Sequence, residues 1–313
     1  MNDQSKKISL ALVTYNQDKF LLRFLENYLE HGFQSVALTV IDDGSTDETP
    51  VILKRMYGEA KILLQTLRHQ SIAHSRNQAL RASPTPWLAF SDTDCILNEA
   101  YFHSLLKIPD RFPLAPAVEG AICQPNGPKP PFSHSLSNQE GGMFPTANMV
   151  FHVSSILNLG GFDEAFENYR EDVDLGLTLL ERGSSVPFYS DLTVTHPYIP
   201  RSISKSLTDA WAKQSKIIDS EILLFQKHPH YYYRVRHHRD AASTLFSWCL
   251  KHTLPALRES ISYLRSHPSE GLKNQPHRGF YHAAGILVSI WEQLCVTTLC
   301  MLQLNKISRL KSK

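Results

Sequence analysis

The chain has 313 residues, 42% of them hydrophobic, and a formal net charge of +2. That is enough apolar material for one large domain, or one plus a smaller one, and the charge is too balanced for a nucleic-acid binder, which needs a basic stripe. Five cysteines, Cys95, Cys123, Cys249, Cys295 and Cys300, form no C-x-x-C pair, so neither a disulfide framework nor a zinc site is indicated and a reducing, cytoplasmic compartment is expected.

Met1 to Lys7 carries no signal-peptide apolar stretch and runs straight into a strand pattern. Ile8 to Thr14 is an apolar, β-rich run. Asp18 to His31 carries Phe20, Leu21, Phe24, Leu25, Tyr28 and Leu29 at helical spacing, with Gly32 placed to stop the helix. Ser35 to Ile41 reads as a second strand, and Gly44 to Glu48 as a turn whose N-cap chemistry opens a second helix. Lys61 to Leu67 reads as a third strand, Ser71 to Ala82 as a helix, and Trp87 to Ser91 as a fourth strand. Strands alternating with helices imply βαβ units and a mainly parallel sheet.

The middle is less regular. Pro109 to Pro116 and Pro125 to Pro131 read as Pro-rich loops, and Gln124 to Gly142 is either a mobile active-site loop or a surface excursion. A second block follows: Thr146 to Val153 as a strand, Glu171 to Arg182 as a helix ended by Gly183, and Val186 to Thr195 as one or two strands. From about Pro200 the pattern turns helical, with Leu207, Trp211, Ile218, Ile222 and Phe225 on one face.

Asp92-Thr93-Asp94 stands where the apolar run Trp87-Leu88-Ala89-Phe90 ends. Two carboxylates this close repel unless a cation or a proton neutralises them. Hard oxygen ligands at a strand end suit magnesium or manganese working with phosphates; the alternative is a surface turn that carries two acids by chance. In parallel α/β sheets ligands sit outside the carboxyl ends of the strands, the edge to which Asp42, Asp43, Asp92 and Asp94 are assigned.

Val13-Thr14-Tyr15-Asn16, Ile41-Asp42-Asp43-Gly44-Ser45-Thr46-Asp47, Ser75-Arg76-Asn77, Asp92-Thr93-Asp94, Gly160-Gly161-Phe162-Asp163-Glu164 and Glu171-Asp172 occur in that order. In order and spacing this series resembles the inverting family 2 glycosyltransferases of the GT-A fold, over roughly residues 8–198, and its last two segments resemble the C-terminal half of galactosyltransferase-type domains. The resemblance implies a GT-A catalytic domain over residues 1–200, a Rossmann-like mixed sheet flanked by helices; the helical pattern beyond it marks a C-terminal region over 201–313. It also implies a nucleotide-sugar donor, UDP-linked in the first instance, and transfer with inversion to a hydroxyl of a saccharide or lipid-linked acceptor in cell-surface polysaccharide or glycolipid synthesis.

Residue by residue, the resemblance places Thr14, Tyr15 and Asn16 around the nucleotide. Asp42 or Asp43 would take the base or ribose, and Arg76 a phosphate or base. Asp92 would take the ribose or assist the metal. Asp94 would ligate Mn2+ or Mg2+ with His196 as a further ligand, and Asp163 would orient its loop or touch the sugar, as would Asn148. A metal across the diphosphate neutralises the charge on the leaving group. Inversion in one step needs a base opposite that group; Asp172 is the choice, with Glu171 as the alternative base or an acceptor contact. Each position also has a plain structural reading: a turn and helix cap at Asp42–Ser45, a solvated helix face for Arg76 with Arg81, a structural histidine at 196, and helix N-terminal acids at 171–174.

Phe280 to Leu304 is long enough to span a bilayer, but Glu292 and Gln293 fall at its centre, where one acid costs about 2.5–3.5 kcal/mol on insertion scales. Its polar and apolar sides separate as in an amphipathic helix. That helix would either pack on the catalytic domain or make peripheral contact at the inner face of the plasma membrane, with Lys306, Arg309, Lys311 and Lys313 facing anionic lipid. Two other functions fit less well: a catalytically silent nucleotide-sugar-binding scaffold, and a sugar nucleotidyltransferase, which wants a glycine-rich basic loop where Val13-Thr14-Tyr15-Asn16 stands.

Overall fold

The computed structural model describes residues 7–32, 34–60, 63–66, 68–127, 133–167, 169–200 and 207–230. Its chain falls into two units, Met1–Pro128 with Ser135–Tyr198, and Lys129–His134 with Ile199–Lys313.

The first unit holds β1 (Ile8–Thr14), α1 (Asp18–His31), β2 (Ala37–Asp42), α2 (Thr49–Ala60), β3 (Leu63–Thr66), α3 (Ile72–Ala82), β4 (Trp87–Ser91), α4 (Glu99–Leu106), α5 (Ile108–Arg111) and β5 (Ala117–Cys123). The second contributes β6 (Ser133–His134), and the first continues with β7 (Asn148–His152), α6 (Val153–Asn158), α7 (Glu171–Glu181) and β8 (Phe188–Thr195). β9 (Ile199–Pro200) and α8 (Leu207–Lys227) belong to the second. Within that second unit β6 and β9 pair antiparallel. The most buried described side chains along α8 and just beyond it are Glu221, Leu224 and His228, while Ile222 and Phe225 of the expected apolar face are half-buried. The expectations for Phe280 to Leu304 and the basic tail lie outside the described residues.

Seven strands form one sheet in the order β3-β2-β1-β4-β7-β5-β8. The pairs β3–β2, β2–β1 and β1–β4 are parallel. β7 runs antiparallel to both β4 and β5, and β8 runs parallel to β5. Two reversals restore direction, so β5 and β8 run with β4. The carboxyl ends of β1, β2, β4, β5 and β8 therefore share one edge with the amino end of β7. In register, Thr14 lies beside Asp42 and Ser91 beside Asn148.

β1 and β4 are apolar along nearly their whole length because helices cover both faces; all five residues of β4 are buried. α1 turns Leu21, Phe24, Leu25 and Tyr28 inward, the i, i+3, i+4, i+7 stripe of an amphipathic helix. Full burial of side chains of this size stabilises by about 1.5–3 kcal/mol each. Tyr28 also donates its hydroxyl to the Val36 carbonyl at 2.7 Å. Gly32 does end α1, but not through a left-handed cap: its φ is −114°. A Cβ there would lie 2.3 Å from the Phe102 ring, so close packing, not backbone freedom, selects glycine. Gly183 after α7 has φ +75° and is the left-handed stop expected.

The Pro-rich middle differs from the sequence reading. Pro109 sits at the start of α5, where its missing N–H is harmless. Ala117–Cys123 is a strand in the interior of the sheet, and α4 before it is buried through Tyr101, Phe102, Ser104 and Leu105. Asn148 is an interior staple rather than a loop or sugar contact: it is fully buried, and its Nδ2 donates to the carbonyls of Ala121 and Leu192, both at 2.8 Å.

Candidate active site

The edge defined by the strand directions carries the sequence motifs. After β1, Asn16 takes a left-handed φ of 53°. Its Oδ1 accepts from Thr46 N–H at 2.7 Å and its own N–H donates to Ser45 Oγ at 2.9 Å. The first two motifs thus clasp each other. Asp42 and Asp43 are buried. Asp42 Oδ1 accepts from Ser45 N–H at 3.0 Å, the turn cap of the plain reading. Asp43 instead faces the segment that follows β3: its carboxylate meets His69 Nδ1 at 3.0 Å and Gln70 N–H at 3.3 Å. The Tyr15 ring stacks on His69 with centroids 3.9 Å apart and planes 13° from parallel. Thr14 is buried with an Oγ1 that has no partner among the described residues. An exposed aromatic face beside a buried carboxylate has the chemistry to hold a flat, N–H-bearing base. His69 carried no sequence signal; only the position of β3 beside β2 brings it there.

Arg76 is buried, not on a solvated face; Arg81 is the exposed one. Its guanidinium forms a close ion pair with Glu171, and its other terminal nitrogen lies 3.9 Å from Asp92. The ring of Phe162 lies 5.9 Å beneath it. Arg76 therefore meets two protein carboxylates. Beside it, Asn77 holds the Gly160–Glu164 motif: its Oδ1 accepts from Phe162 N–H at 2.8 Å, while its Nδ2 donates to Phe162 O and Glu164 Oε1, both at 2.9 Å. Asp163 caps its own turn, accepting from Ala165 N–H at 2.9 Å.

Asp92 keeps 44% of its side-chain surface open, yet protein crowds it heavily enough that burial pushes its carboxyl pKa up. Arg76 opposes the rise and Asp94 adds to it, with smaller opposing effects from His196 and Asp172. Asp94 is more enclosed. Its backbone carbonyl accepts from Arg23 Nη2 at 2.8 Å, a contact without a sequence signal. Its Oδ2 lies 3.5 Å from His196 Nε2. The bridge between Ile96 and Thr195 causes this approach, with N–H···O contacts of 2.9 and 3.1 Å. His196 Nδ1 faces the Pro197 carbonyl at 3.0 Å. A carbonyl can only accept, so Nδ1 carries the proton and, in the neutral ring, Nε2 presents a lone pair toward Asp94. A lone pair facing a carboxylate is repulsive without a cation between them or a second proton on the ring. Asp94 Oδ1 is buried without a hydrogen-bond partner among the described residues.

The donor chemistry at Asp94 and His196 therefore fits a divalent metal, and the backbone contact on the second ring nitrogen is the usual way a ligating histidine is oriented. Among the described residues no three His, Cys, Asp or Glu side chains close into a metal cage. Asp92, the third expected ligand, is drawn toward Arg76 instead. A pair of protein ligands suffices for an ion that takes its other oxygens from phosphates and water.

Glu171 and Asp172 open α7 directly after Arg170, whose φ of 74° is left-handed. Glu171 is buried, and its carboxyl is pushed up to about 7, first by burial and then by Asp172, against the pull of Arg76. Asp172 is half-buried. Its Oδ1 accepts from Val173 N–H at 2.8 Å and its Oδ2 from Thr146 N–H at 3.4 Å. The acids thus sit at the positive end of a helix, as the plain reading holds, and also stand on the edge that bears Asp92 and Asp94.

Residues 9–120 match the family model for glycosyl transferase family 2. N-acetylglucosaminyl-diphospho-decaprenol L-rhamnosyltransferase of Mycobacterium tuberculosis is 23% identical over 231 residues, covering 60% of this chain and 75% of that protein. For two other curated bacterial glycosyltransferases the chain spans only 15% of the relative's length. S. aureus TarS 1–349 in complex with UDP has a similar fold, with a TM-score of 0.51 at 16% identity over 91% of this chain and 89% of that one. So does the mannosyltransferase PcManGT from Pyrobaculum calidifontis in complex with GDP-Man and Mn2+, with a TM-score of 0.52 at 15% identity over 92% and 87%. Residues 9–120 are thus similar to glycosyl transferase family 2, and the mixed, mostly parallel sheet has the GT-A fold.

Proposed function

We propose that the chain transfers a sugar, with inversion, from a UDP-linked donor to a hydroxyl of a cell-surface saccharide or lipid-linked acceptor, at the inner face of the plasma membrane. The observation that carries this reading is the convergence of Asp92, Asp94 and His196 with Arg76, Glu171 and Asp172 on one sheet edge. The named ligands of the two structural neighbours, UDP and GDP-Man, support a nucleotide-sugar donor. The rhamnosyltransferase relative supports a lipid-linked acceptor.

In this reading Tyr15 and Asp43 receive the base, and Asp92 a ribose hydroxyl. Asp94 and His196 hold Mn2+ or Mg2+, which when bound neutralises charge on the leaving diphosphate. Asp172 takes the proton of the acceptor hydroxyl as the new bond forms, assistance of about 10²–10⁴-fold for a general base. Val173 N–H and Thr146 N–H fix its two oxygens, so the base is oriented before the acceptor arrives. Arg76 keeps Glu171 from competing for that role.

The test is a thermal-shift screen of UDP-, GDP- and dTDP-sugars with and without Mn2+, followed by NMR of the released sugar. A ligand that binds only the native state raises the melting temperature. Metal-dependent stabilisation by a UDP-sugar, and slow hydrolysis giving the inverted anomer, are the expected results. Donor binding without any turnover would point to the silent scaffold instead. A retained anomer would overturn the one-step mechanism.

A further inference from the structure

Glu119 stands in the middle of β5 with no exposed surface. A carboxylate so placed is tolerated only where hydrogen bonds replace its water. Its Oε1 accepts from Asn138 Nδ2 at 2.7 Å, Met143 N–H at 3.0 Å and Phe144 N–H at 2.7 Å, and its Oε2 accepts from Gly142 N–H at 2.6 Å. Three successive backbone N–H groups thus converge on one anion, a nest built for negative charge. The wrapped backbone is unusual: Gly142 and Phe144 are both left-handed, at φ +79° and +57°, and for phenylalanine that conformation is uncommon.

What the wrapped segment touches gives it a purpose. Two residues past Phe144, Thr146 donates its N–H to Asp172 Oδ2. Phe144 itself is buried against α7, so tightly that a Cβ on Gly176 would fall 2.2 Å from its ring. The loop therefore meets α7 twice, once at its first turn and once further along.

We propose that Glu119 is a positioning residue for the reaction: its carboxylate templates Gly142–Thr146, and that segment sets the place and orientation of Asp172. The proposal rests on the reading of Asp172 as the base. A plain structural role would cost stability alone; a positioning role lowers turnover through Asp172.

The test uses the full chain with Mn2+ and whichever of UDP-N-acetylglucosamine, UDP-glucose, GDP-mannose and dTDP-rhamnose the wild type hydrolyses fastest. In Glu119→Gln the amide cannot accept at both ends, so one former acceptor opposes a backbone N–H. A misplaced reacting group costs on the order of 10²-fold, so kcat is expected to fall about 10- to 100-fold with KM within about twofold. Hydrogen exchange at Gly142–Phe144 should quicken. In an Asp172→Asn background the same change should lower the residual kcat by less than about twofold, the non-additivity of groups that act as one. Full additivity, or a raised KM at unchanged kcat, overturns the proposal. If Glu119→Gln fails to fold, Glu119→Asp serves: faster exchange at Gly142–Phe144 with wild-type kcat sinks the idea. Wild-type kcat in Asp172→Asn would instead remove the base reading. An inactive Asp172→Asn beside a fully active Glu119→Gln would remove this inference alone.

Discussion

Arg76 and Glu171, 95 residues apart in sequence, form a buried ion pair that ties the middle of α3 to the start of α7. Both side chains are about 5% exposed, so neither charge has water to fall back on. The pair also fixes which carboxylate remains available: Glu171 is engaged with a guanidinium, whereas Asp172 meets only backbone N–H donors in its hydrogen bonds.

Removing one partner should therefore be costly. Arg76→Met leaves Glu171 buried and unpaired, and breaking such pairs typically costs about 3–5 kcal/mol. The loss should be largest above pH 7, where the stranded carboxyl must ionise or hold its proton at a cost, and smaller near pH 5.5, where it is neutral. Arg76→Met combined with Glu171→Gln should recover much of the stability. Urea melts at the two pH values check this; equal losses at both would show that the pair is not the cause.

The same pair predicts a pH dependence. The Glu171 carboxyl is raised from the ordinary 4.5 to about 7, so the folded state binds this proton more tightly than the unfolded one. Its contribution is fully present below about pH 4.5 and is lost as pH rises to about 7. By linkage, stability therefore declines across that window. Glu171→Gln should flatten the slope. A midpoint-against-pH curve with the same slope in both proteins would contradict the raised acidity.

Asp94 and His196 make a metal prediction that does not depend on turnover. Calorimetry of the wild type should show donor binding strengthened by Mn2+. Asp94→Asn and His196→Ala should each weaken that metal-dependent part by about tenfold or more, as losses around a metal site do. The metal-free donor affinity should change little, because Tyr15 and Asp43 are untouched. Donor binding indifferent to metal in the wild type would sink the metal reading.

The sequence carried the first half of the fold well. β1 to β4 and their helices match the apolar periodicity to within two residues, because strands buried on both faces and an amphipathic α1 leave a strong local pattern. It carried β5 poorly. Ala117–Cys123 lies between two Pro-rich stretches and contains Glu119, and an acid in an apolar run argues locally against a buried strand. Only the donors from residues 138–144, distant in sequence, make that acid tolerable. The site divides in the same way. Asp92, Asp94, Glu171 and Asp172 stand in short motifs and were legible. His69, Arg23 and Glu119 act through strand order and loop closure, which no local spacing encodes. Arg76, Glu171 and Asp92 each stand in a motif, but their pairing with one another does not follow from the sequence.

Asp172→Asn gives the sharpest separation of chemistry from binding. The amide oxygen can still accept from Val173 N–H, so the side chain should keep its place, while the NH2 end opposes Thr146 N–H across a contact that is already long at 3.4 Å. The fold and the base-binding residues are unaffected. Loss of general-base assistance should lower kcat by about 10²–10⁴-fold, with donor Kd within about threefold of wild type. The measurement is single-turnover transfer or hydrolysis beside donor titration by calorimetry. A parallel loss of donor affinity would mean that Asp172 binds the donor and that the proton goes elsewhere. Glu171, already held by Arg76, would then be the residue to substitute next, and a kcat profile rising through pH 7 would accompany it.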